Sequence, residues 1–487
     1  MPFTSHVVPA TVDRAYDART AVDDAVRAVR SALDAADCEY VRLPGFDVFD
    51  PVIVVDRAAA SMVVRALRVL DPREGWDIDA SDGADSAVVR RRIVSPDGRE
   101  LSTPREAVTV LFWERLPDGV ERVDGSTHLP GTLHRLPRHR RTVVDYLTPE
   151  VWRTALEHPE RQVDIIAPRL QQVTEPVDVV YTWVDGDDPE WLKRKNAALL
   201  GVDISEVNET AHSASRFASR DELKYSLRSL EMYSSWVNHI YLVTDRQVPD
   251  WLVTDHPKLT VVDHTEIFTD PSALPVFNSH AIESQLHHIP GLAERYLYLN
   301  DDVFFCRPTS PELFYTGNGL SKFYPSKAVL DVDPPSARDL PVMAAAKNNR
   351  RFMIETHGRT VTNKFKHTPH PQLRSVLQAM EDENPELFAE VAASRVRHPA
   401  DYSIPSALYH FHAYAIGRAV EGRIRYGYLD IARPDAALRL LRFGRRTDLD
   451  VLCLNDTNTS DDQQEQLAAL LGDFLEDRFP VPSSFEV

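Results

Sequence analysis

The chain has 487 residues, and its 74 acidic against 55 basic side chains give a formal net charge of −19 at pH 7. This length predicts about two to three domains, with room for a large catalytic core. A balance this negative excludes a general nucleic-acid-binding protein, because contacts with a phosphate backbone require a basic face. Hydrophobic residues at 43% and charged residues at 26% are typical of a soluble globular protein.

Cysteine usage and the N-terminus predict the compartment. Cys38, Cys306 and Cys453 occur without any CxxC pair, which argues against a disulfide framework and favours a reducing cytoplasm. The N-terminus has no basic start followed by an apolar run, so we predict no signal peptide. No stretch approaches the ~18 apolar residues of a membrane span. We expect a cytoplasmic protein whose membrane association is at most peripheral, at the inner face.

The first 150 residues combine a helical pattern with short strand-like runs. Val22, Val26, Val29 and Leu33 recur at three- and four-residue spacing, which is typical of an amphipathic helix. The runs YVRL, VIVV and AVTVLFW follow, separated by Asp-Gly and Pro turn signals. We find no catalytic motif here. Residues 1–150 therefore predict a small α/β accessory domain, followed by a linker over residues 151–176.

Residues 177–457 alternate apolar strands with capped helices. The predicted strands are VDVVYTWV, HIYLVTD, LTVVD and RYLYLNDD. The run from Ser219 to Glu222 reads as a capping box, and Asn278 as the cap of a further helix. This alternation predicts an α/β fold with a Rossmann-like, mostly parallel sheet and helices on both faces. Residues 458–487 predict a C-terminal amphipathic helix and tail, with the helix packed on the core.

Acidic motifs follow several of these strands, where ligands of open α/β sheets bind. The three motifs are Asp185-Gly186-Asp187-Asp188, Asn300-Asp301-Asp302 and Asn455-Asp456. Carboxylates and loop N–H groups suit a diphosphate held through a divalent cation, because both phosphate and Mg²⁺ take oxygen partners. The alternative for the first motif is a surface turn with solvated acids. For the second motif, the alternative is a strand-end cap.

Basic and polar residues lie in the connecting segments and in a distal cluster. Helix N-termini and arginines bind phosphate, and histidine moves protons near neutral pH. We predict that the following residues contact the substrate: Asp185, Gly186, Arg216, Arg220, Asn278, His280 and Lys364. Capping remains the alternative for Asn278. A lone histidine is more often structural, and we interpret His410 and His412 in that way.

Taken together, these segments resemble the four conserved regions of the Stealth family. Its members are bacterial capsule and cell-wall polysaccharide phosphotransferases, related to the animal N-acetylglucosamine-1-phosphotransferase. The first region resembles DVVYTWVDGDDPEW, and the second resembles RFASRDELKYSLRSLE extended through YLNDDVFF. The third is similar to the segment from KFKHTPH to SRVRHPADYS, and the fourth to VLCLND.

The resemblance implies a reaction and its site residues. A sugar-1-phosphate passes from a nucleotide diphosphate sugar to a hydroxyl of a glycan acceptor, and nucleoside monophosphate leaves. The resemblance places the catalytic residues at Asp188, Asp302, His367, His370, Arg397 and Asp456, and the ligands of Mg²⁺ (or Mn²⁺) at Asp301, Asp302 and Asp456. Which member of the Asp301/Asp302 pair and of the His367/His370 pair is essential stays open. Arg220 departs from the family, whose members often carry Asn at that position.

Two other functions remain open. A metal-dependent glycosyltransferase would use similar acids but release nucleoside diphosphate, and it would not require the His/Arg segment. A non-catalytic carbohydrate-binding protein would not need the acids, all of which are present. The partners implied are the nucleotide sugar and the glycan or polysaccharide acceptor, with assembly into a homo-oligomer left open.

Overall fold

The computed structural model describes residues 10–80, 83–117, 127–137, 142–164, 167–200, 217, 219–336, 338–456 and 461–487. The chain forms two compact units, Met1–Gln172 and Val173–Val487, and each is considered by itself.

Helices and strands make up both units over the described residues. The α-helices are α1 (Ala18–Ala35), α2 (Ala60–Leu67), α3 (Pro149–Glu157), α4 (Pro189–Leu199), α5 (Glu222–Tyr233), α6 (His264–Ile267), α7 (Ser279–Glu283), α8 (Pro341–His357), α9 (Arg374–Glu383), α10 (Pro385–Ala393), α11 (Tyr409–Ala415), α12 (Ala436–Gly444) and α13 (Asp461–Arg478). The strands are β1 (Thr11–Val12), β2 (Tyr40–Leu43), β3 (Val52–Asp56), β4 (Trp76–Asp79), β5 (Ser86–Arg91), β6 (Ile93–Val94), β7 (Val108–Arg115), β8 (Leu133–His134), β9 (Tyr146–Leu147), β10 (Val177–Thr182), β11 (Ile240–Thr244), β12 (Leu259–Asp263), β13 (Arg295–Asn300), β14 (Val303–Phe305), β15 (Ser321–Phe323), β16 (Pro325–Val329), β17 (Asn363–Phe365), β18 (His370–Leu373), β19 (Ala419–Glu421), β20 (Tyr426–Asp430) and β21 (Val451–Asn455).

The first unit is built on a mixed sheet of order β2-β3-β7-β5-β4, with β8 and β9 extending from β7. Helix α1 buries the predicted face of Val22, Val26, Val29 and Leu33. Helix α3, which the sequence placed in the linker, contributes Trp152 and Ala155 to the core that contains β2 and β3. The predicted role of residues 1–150 as an accessory domain stays a prediction.

The second unit contains the sheet predicted from the β-α-β pattern. Its order is β12-β11-β10-β13-β18. The first four strands are parallel, and β18 runs antiparallel to β13 at the edge. The α/β fold class is therefore confirmed.

The strand order reverses between β10 and β13. From β10 the chain moves outward through β11 to β12, and then crosses to the other side of β10 to form β13. Right-handed crossovers in opposite directions place their helices on opposite faces of the sheet. The carboxyl ends of β10 and β13, where Thr182 pairs with Asn300, thus flank the crevice in which such sheets bind ligands.

A second sheet, of order β14-β21-β20, brings the fourth motif to this crevice. Strand β14 follows Asp301 and Asp302 directly, and its Val303 pairs with Cys453 of β21. The Leu454 N–H donates to the Asp302 carbonyl at 3.0 Å. Asp456, just after β21, is thereby placed beside the end of β13.

The capping box predicted at Ser219–Glu222 is wrong. Helix α5 begins at Glu222, and its N-cap is Asp221, whose backbone is left-handed (φ 61°) and whose side chain makes no capping bond. The Glu222 carboxylate turns back and accepts the Arg220 N–H at 2.6 Å. The cap at Asn278 is confirmed, since its side chain accepts the His280 N–H.

The C-terminal helix α13 packs as predicted, with Leu471, Phe474 and Leu475 buried. Within the part of the chain that the structure describes, no helix has both the length and the apolarity to cross a membrane.

Candidate active site

One glutamine, Gln247, holds Asp185 and Asp188 in place in the loop after β10. Gln247 donates to the Asp188 carboxylate and to the Asp185 carbonyl, both at 2.9 Å, and accepts the Asp185 N–H at 3.1 Å. The hydrogen bond from Gln247 holds the pKa of Asp188 below its usual value, and the N–H groups of Glu190 and Trp191 add to this effect. Asp188 is thus an ionised cap of α4, and its catalytic role stays a prediction. The sequence analysis missed Gln247, which follows β11.

Gly186 is required by a close approach of two backbone segments. Its N–H donates to the Phe217 carbonyl oxygen at 2.7 Å. A Cβ at this position would lie 2.3 Å from that oxygen, which is far inside van der Waals contact. The glycine therefore lets the first motif lie directly against the start of the second. Arg216 itself lies outside the described residues.

Three carboxyl groups, Glu222, Asp301 and Asp302, form what we call the acid centre. Burial raises the pKa of Asp301 well above its usual value, and the charges of Glu222 and Asp302 raise it further. Burial likewise raises the pKa of Asp302 to about 6 and raises that of Glu222. Carboxylates this close repel one another, and a nearby cation would relieve the repulsion. Glu222 is not among the predicted site residues, although it follows the predicted residue Arg220 by only two positions.

Asp456 joins the acid centre through Arg220. The guanidinium donates to the Asp456 carboxylate at 2.7 Å and lies 3.7 Å from Glu222. Both members of the Arg220–Asp456 pair have side chains only 7% exposed. Arg220 is therefore held by protein carboxylates and compensates part of their charge. Its predicted contact with substrate would have to compete with this ion pair.

The residues present fit a hard divalent cation at Asp301 and Asp302. Among the described residues, the buried Oδ1 of Asp302 has no hydrogen-bond partner, and Oδ2 faces only the weak thiol donor of Cys453 at 3.5 Å. Free carboxylate oxygens are what Mg²⁺ takes. The third predicted ligand, Asp456, is engaged by Arg220 instead. Over the described ranges, these three acids are not a group whose ligand atoms all converge within 4.8 Å.

A second group of residues, Lys364, His367 and Arg397, forms what we call the cationic cluster. Desolvation by the surrounding protein lowers the pKa of His367, and the neighbouring charges of Lys364 and Arg397 lower it further. Burial also lowers the pKa of Lys364. The His367 ring lies beside that of Tyr428, with centroids 5.3 Å apart, and its side chain reaches solvent. A neutral, accessible imidazole at neutral pH can accept a proton.

His370 is held in a different way. Its Nδ1 lies 3.0 Å from Nε2 of His410, and its ring stacks on Tyr298 at 6.2 Å. Burial lowers the pKa of His370 to about 3. The structure thus ties His370 to the edge of the sheet, while the ring of His367 stays accessible.

Arg397 is anchored on one side and unpaired on the other. Its Nη2 donates to the Ser279 hydroxyl at 2.6 Å. In the described part of the chain, its buried Nη1 has no partner. Burial lowers the pKa of Arg397, which the negative charges of Glu283 and Asp401 oppose. A guanidinium with a free nitrogen can donate to a phosphate oxygen.

Asn278 and His280 position the loop that carries Arg397. Asn278 Nδ2 donates to the Asp401 carboxylate at 2.8 Å and to the Ser394 carbonyl at 3.1 Å. His280 Nδ1 lies 3.5 Å from the same Asp401 carboxylate. Both side chains are buried, so their contacts are with the protein. The predicted substrate contacts of Asn278 and His280 stay predictions, whereas their structural role is visible.

Two tyrosines of β20 lie near both the acid centre and the cationic cluster. The Tyr426 hydroxyl accepts the His367 N–H at 3.3 Å. Burial raises the pKa values of Tyr426 and Tyr428, and the nearby charge of Asp302 contributes to both. His367 and Asp302 therefore border the same pair of rings. No motif in the sequence pointed to these tyrosines.

Comparison with known proteins gives the family. Models of the Stealth protein conserved regions match four segments: region 1 at 175–203, region 2 at 216–323, region 3 at 366–414 and region 4 at 444–487. The exopolysaccharide phosphotransferase CpsY of Mycobacterium tuberculosis is 34% identical over 94% of this chain and 87% of its own length. The chain belongs to the Stealth family.

Other Stealth relatives match over a shorter range. An exopolysaccharide phosphotransferase of Streptomyces coelicolor is 50% identical over 65% of this chain and 53% of its own length. The chain thus spans about half the length of the Streptomyces relatives it matches. Among solved structures, the galactosyltransferase LgtC matches 61% of this chain and 95% of its own, with 11% identity and a TM-score of 0.30. The fold class of this Stealth protein therefore rests on its own strand order.

Proposed function

We propose that this Stealth protein transfers a sugar-1-phosphate from a nucleotide diphosphate sugar to a hydroxyl of a glycan acceptor, in capsule or cell-wall polysaccharide synthesis. The observation that carries the proposal is that Asp302 of the acid centre and His367 of the cationic cluster both lie near the rings of Tyr426 and Tyr428. The names of the relatives, exopolysaccharide phosphotransferases, support a product of this class.

Both groups could compensate the negative charge of such a donor, the acid centre through a metal ion and the cationic cluster directly. Asp301 and Asp302 would hold Mg²⁺ or Mn²⁺, which would neutralise the diphosphate and polarise its phosphorus–oxygen bonds. Lys364 and the free Nη1 of Arg397 would donate to the phosphate oxygens that gain charge in the transition state. The protein compensates the charges of each group incompletely. The donor and its metal ion would supply the opposite charges.

His367 is the general base of the proposed step. It takes the proton of the acceptor hydroxyl, whose oxygen attacks the phosphorus joined to the sugar. A new phosphorus–oxygen bond forms, and the bond to the oxygen of the nucleoside monophosphate breaks. Nucleoside monophosphate leaves, and the acceptor gains a phosphodiester. His367 is favoured over His370 because its ring is accessible and not bonded to another histidine.

Product analysis tests the proposal. The purified chain is incubated with a panel of nucleotide diphosphate sugars, a glycan acceptor and Mg²⁺ or Mn²⁺, and the nucleotide released is identified. We expect nucleoside monophosphate together with an acceptor that gains phosphorus. Release of nucleoside diphosphate would instead identify a glycosyltransferase. Donor binding without any release, across the panel, would favour the non-catalytic carbohydrate-binding function.

A further inference from the structure

A second group of metal-ligating side chains lies away from the acid centre. His287 and His288 occupy the short 3-10 turn Leu286–His288 before β13, and Glu381 lies on α9. Their three ligand atoms all lie within 4.8 Å of one another. Nε2 of His287 and Nε2 of His288 lie 2.6 and 2.7 Å from the same oxygen, Oε2 of Glu381. The three side chains thus converge on one point.

The hydrogen of His288 shows why a cation belongs at that point. Its Nδ1 lies 3.0 Å from the Ile267 carbonyl oxygen, which can only accept, so Nδ1 carries the hydrogen. In the neutral ring, Nε2 is then a lone pair that faces a carboxylate oxygen, and the contact is repulsive. Either a proton on Nε2 or a metal ion removes the repulsion.

His287 adds a second ring to the group. Its side chain is fully buried, and in the described residues its Nδ1 has no hydrogen-bond partner. The two ring centroids are only 4.0 Å apart, so two imidazolium ions here would repel each other. One divalent ion bound by Nε2 of His287 and Nε2 of His288 would give each of these nitrogens a partner.

We propose that His287, His288 and Glu381 bind a zinc-class divalent ion, with water in the fourth position. Two imidazoles and one carboxylate are a ligand set that Zn²⁺ takes in tetrahedral geometry. The Ile267 carbonyl orients the His288 ring as the outer partners of metal-bound histidines do. The ring of Phe388 makes a T-shaped contact with that of His287, with ring centroids 5.9 Å apart.

This ion would have a structural role. The turn that carries both histidines leads into β13, which ends at Asn300 beside the acid centre. Helix α9 directly follows β18, the strand that begins at His370 and pairs with β13. An ion shared by the turn and α9 fixes these two strands to one another. It takes no part in the transfer step, so the two proposals fail separately.

Metal content and thermal stability test the site. Untagged chain is stripped with EDTA, desalted and incubated with micromolar Zn²⁺. Bound zinc is then measured by plasma mass spectrometry. We expect one zinc per chain and a rise in Tm on the order of 5 °C relative to the stripped protein. Substitution with Co²⁺ should give the visible absorption bands of a four-coordinate ion. Stripped wild-type chain that takes up no stoichiometric zinc and does not shift its Tm would overturn the proposal.

Two variants locate the ion. Glu381→Gln keeps the shape of the side chain but removes the anionic ligand, so it should lose the zinc, the Tm rise and the cobalt bands. His357→Gln is the matched control, since His357 Nε2 lies 3.1 Å from His412 Nδ1 without a carboxylate in that contact. This control should keep all three signals. Equal zinc uptake by Glu381→Gln and wild type would also contradict the site.

Discussion

Burial shifts the pKa values of the acid centre and those of the cationic cluster in opposite directions. In the acid centre, burial raises the pKa values of Asp301, Asp302 and Glu222. In the cationic cluster, burial lowers the pKa values of Lys364, His367 and Arg397. Each group has charges that the protein compensates incompletely. In the proposed function, the donor and its metal ion would complement both groups, with the cation towards the acids and the phosphate oxygens towards the arginine.

The largest expected effect comes from the acid centre. Asp302→Asn should lower nucleoside monophosphate release on the order of 10³-fold, because a neutral amide cannot replace a metal-binding carboxylate. Asp448→Asn is the matched control, since Asp448 is exposed and pairs with Arg446 at 2.8 Å. Steady-state release at saturating Mg²⁺ measures both. Turnover of Asp302→Asn within tenfold of the control would remove Asp302 from the proposed metal site.

The next effect separates charge compensation from catalysis. Arg220→Ala removes the buried cation that Asp456 and Glu222 both face, and should cost about 3–5 kcal/mol of unfolding free energy. Arg446→Ala breaks the exposed pair with Asp448 and should cost less than about 1 kcal/mol. Urea denaturation compares them. Arg220→Ala/Asp456→Ala should recover part of the loss. Equal costs for the two single variants would show that the buried pair does not stabilise the fold.

The third prediction tests the base within the cationic cluster. His367→Asn should lower turnover on the order of 10²-fold and abolish the acid limb of the pH–rate profile. Because its pKa is lowered, the wild-type limb should have its midpoint below 6.5. His370→Asn, which breaks the contact with His410, should lower Tm and keep the limb. An acid limb that survives in His367→Asn would assign the base to another group.

The fourth prediction concerns the free nitrogen of Arg397. Arg397→Lys keeps the positive charge but loses the planar set of donors, so kcat/KM for the donor should fall about tenfold. Arg395→Lys, two residues earlier on the exposed surface, is the control and should match wild type. Initial rates at subsaturating donor measure the difference. An unchanged kcat/KM in Arg397→Lys would show that the second guanidinium nitrogen makes no contact with the donor.

The smallest expected effect is on stability. A carboxyl group whose pKa is raised in the folded state binds its proton more tightly there, so it destabilises the fold as pH rises. For Asp302 the window runs from about pH 4 to its folded pKa of about 6. As pH rises across this window, the Tm of the metal-free chain should fall less in Asp302→Asn than in wild type. Glu106, whose pKa burial raises to about 7, acts in the same direction, so the difference between the two curves is the measurement. Parallel curves would contradict the raised pKa of Asp302.

The sequence predicted the parts of the site that local patterns encode. Alternating apolar runs located β10, β11, β12 and β13, and the acids that follow two of them lie at the expected edge. The sequence could not predict the ion pair between Arg220 and Asp456, because two residues separated by 236 positions leave no periodic signal. The capping box failed for a related reason: Glu222 is drawn into the acid centre. Tyr426, Tyr428 and the His287–His288–Glu381 group likewise depend on which strands pair.

The Arg220–Asp456 pair also has a consequence for the order of assembly. Arg220 lies near the start of the second conserved region, and Asp456 follows β21 in the fourth. The pair therefore joins early and late parts of the second unit. During synthesis on the ribosome, the crevice stays incomplete until β21 has emerged and docked on β14. A nascent chain stopped before Asp456 leaves Arg220 with Glu222 but without the closer of its two carboxylates. Completion of the candidate site is therefore coupled to the emergence of the fourth conserved region.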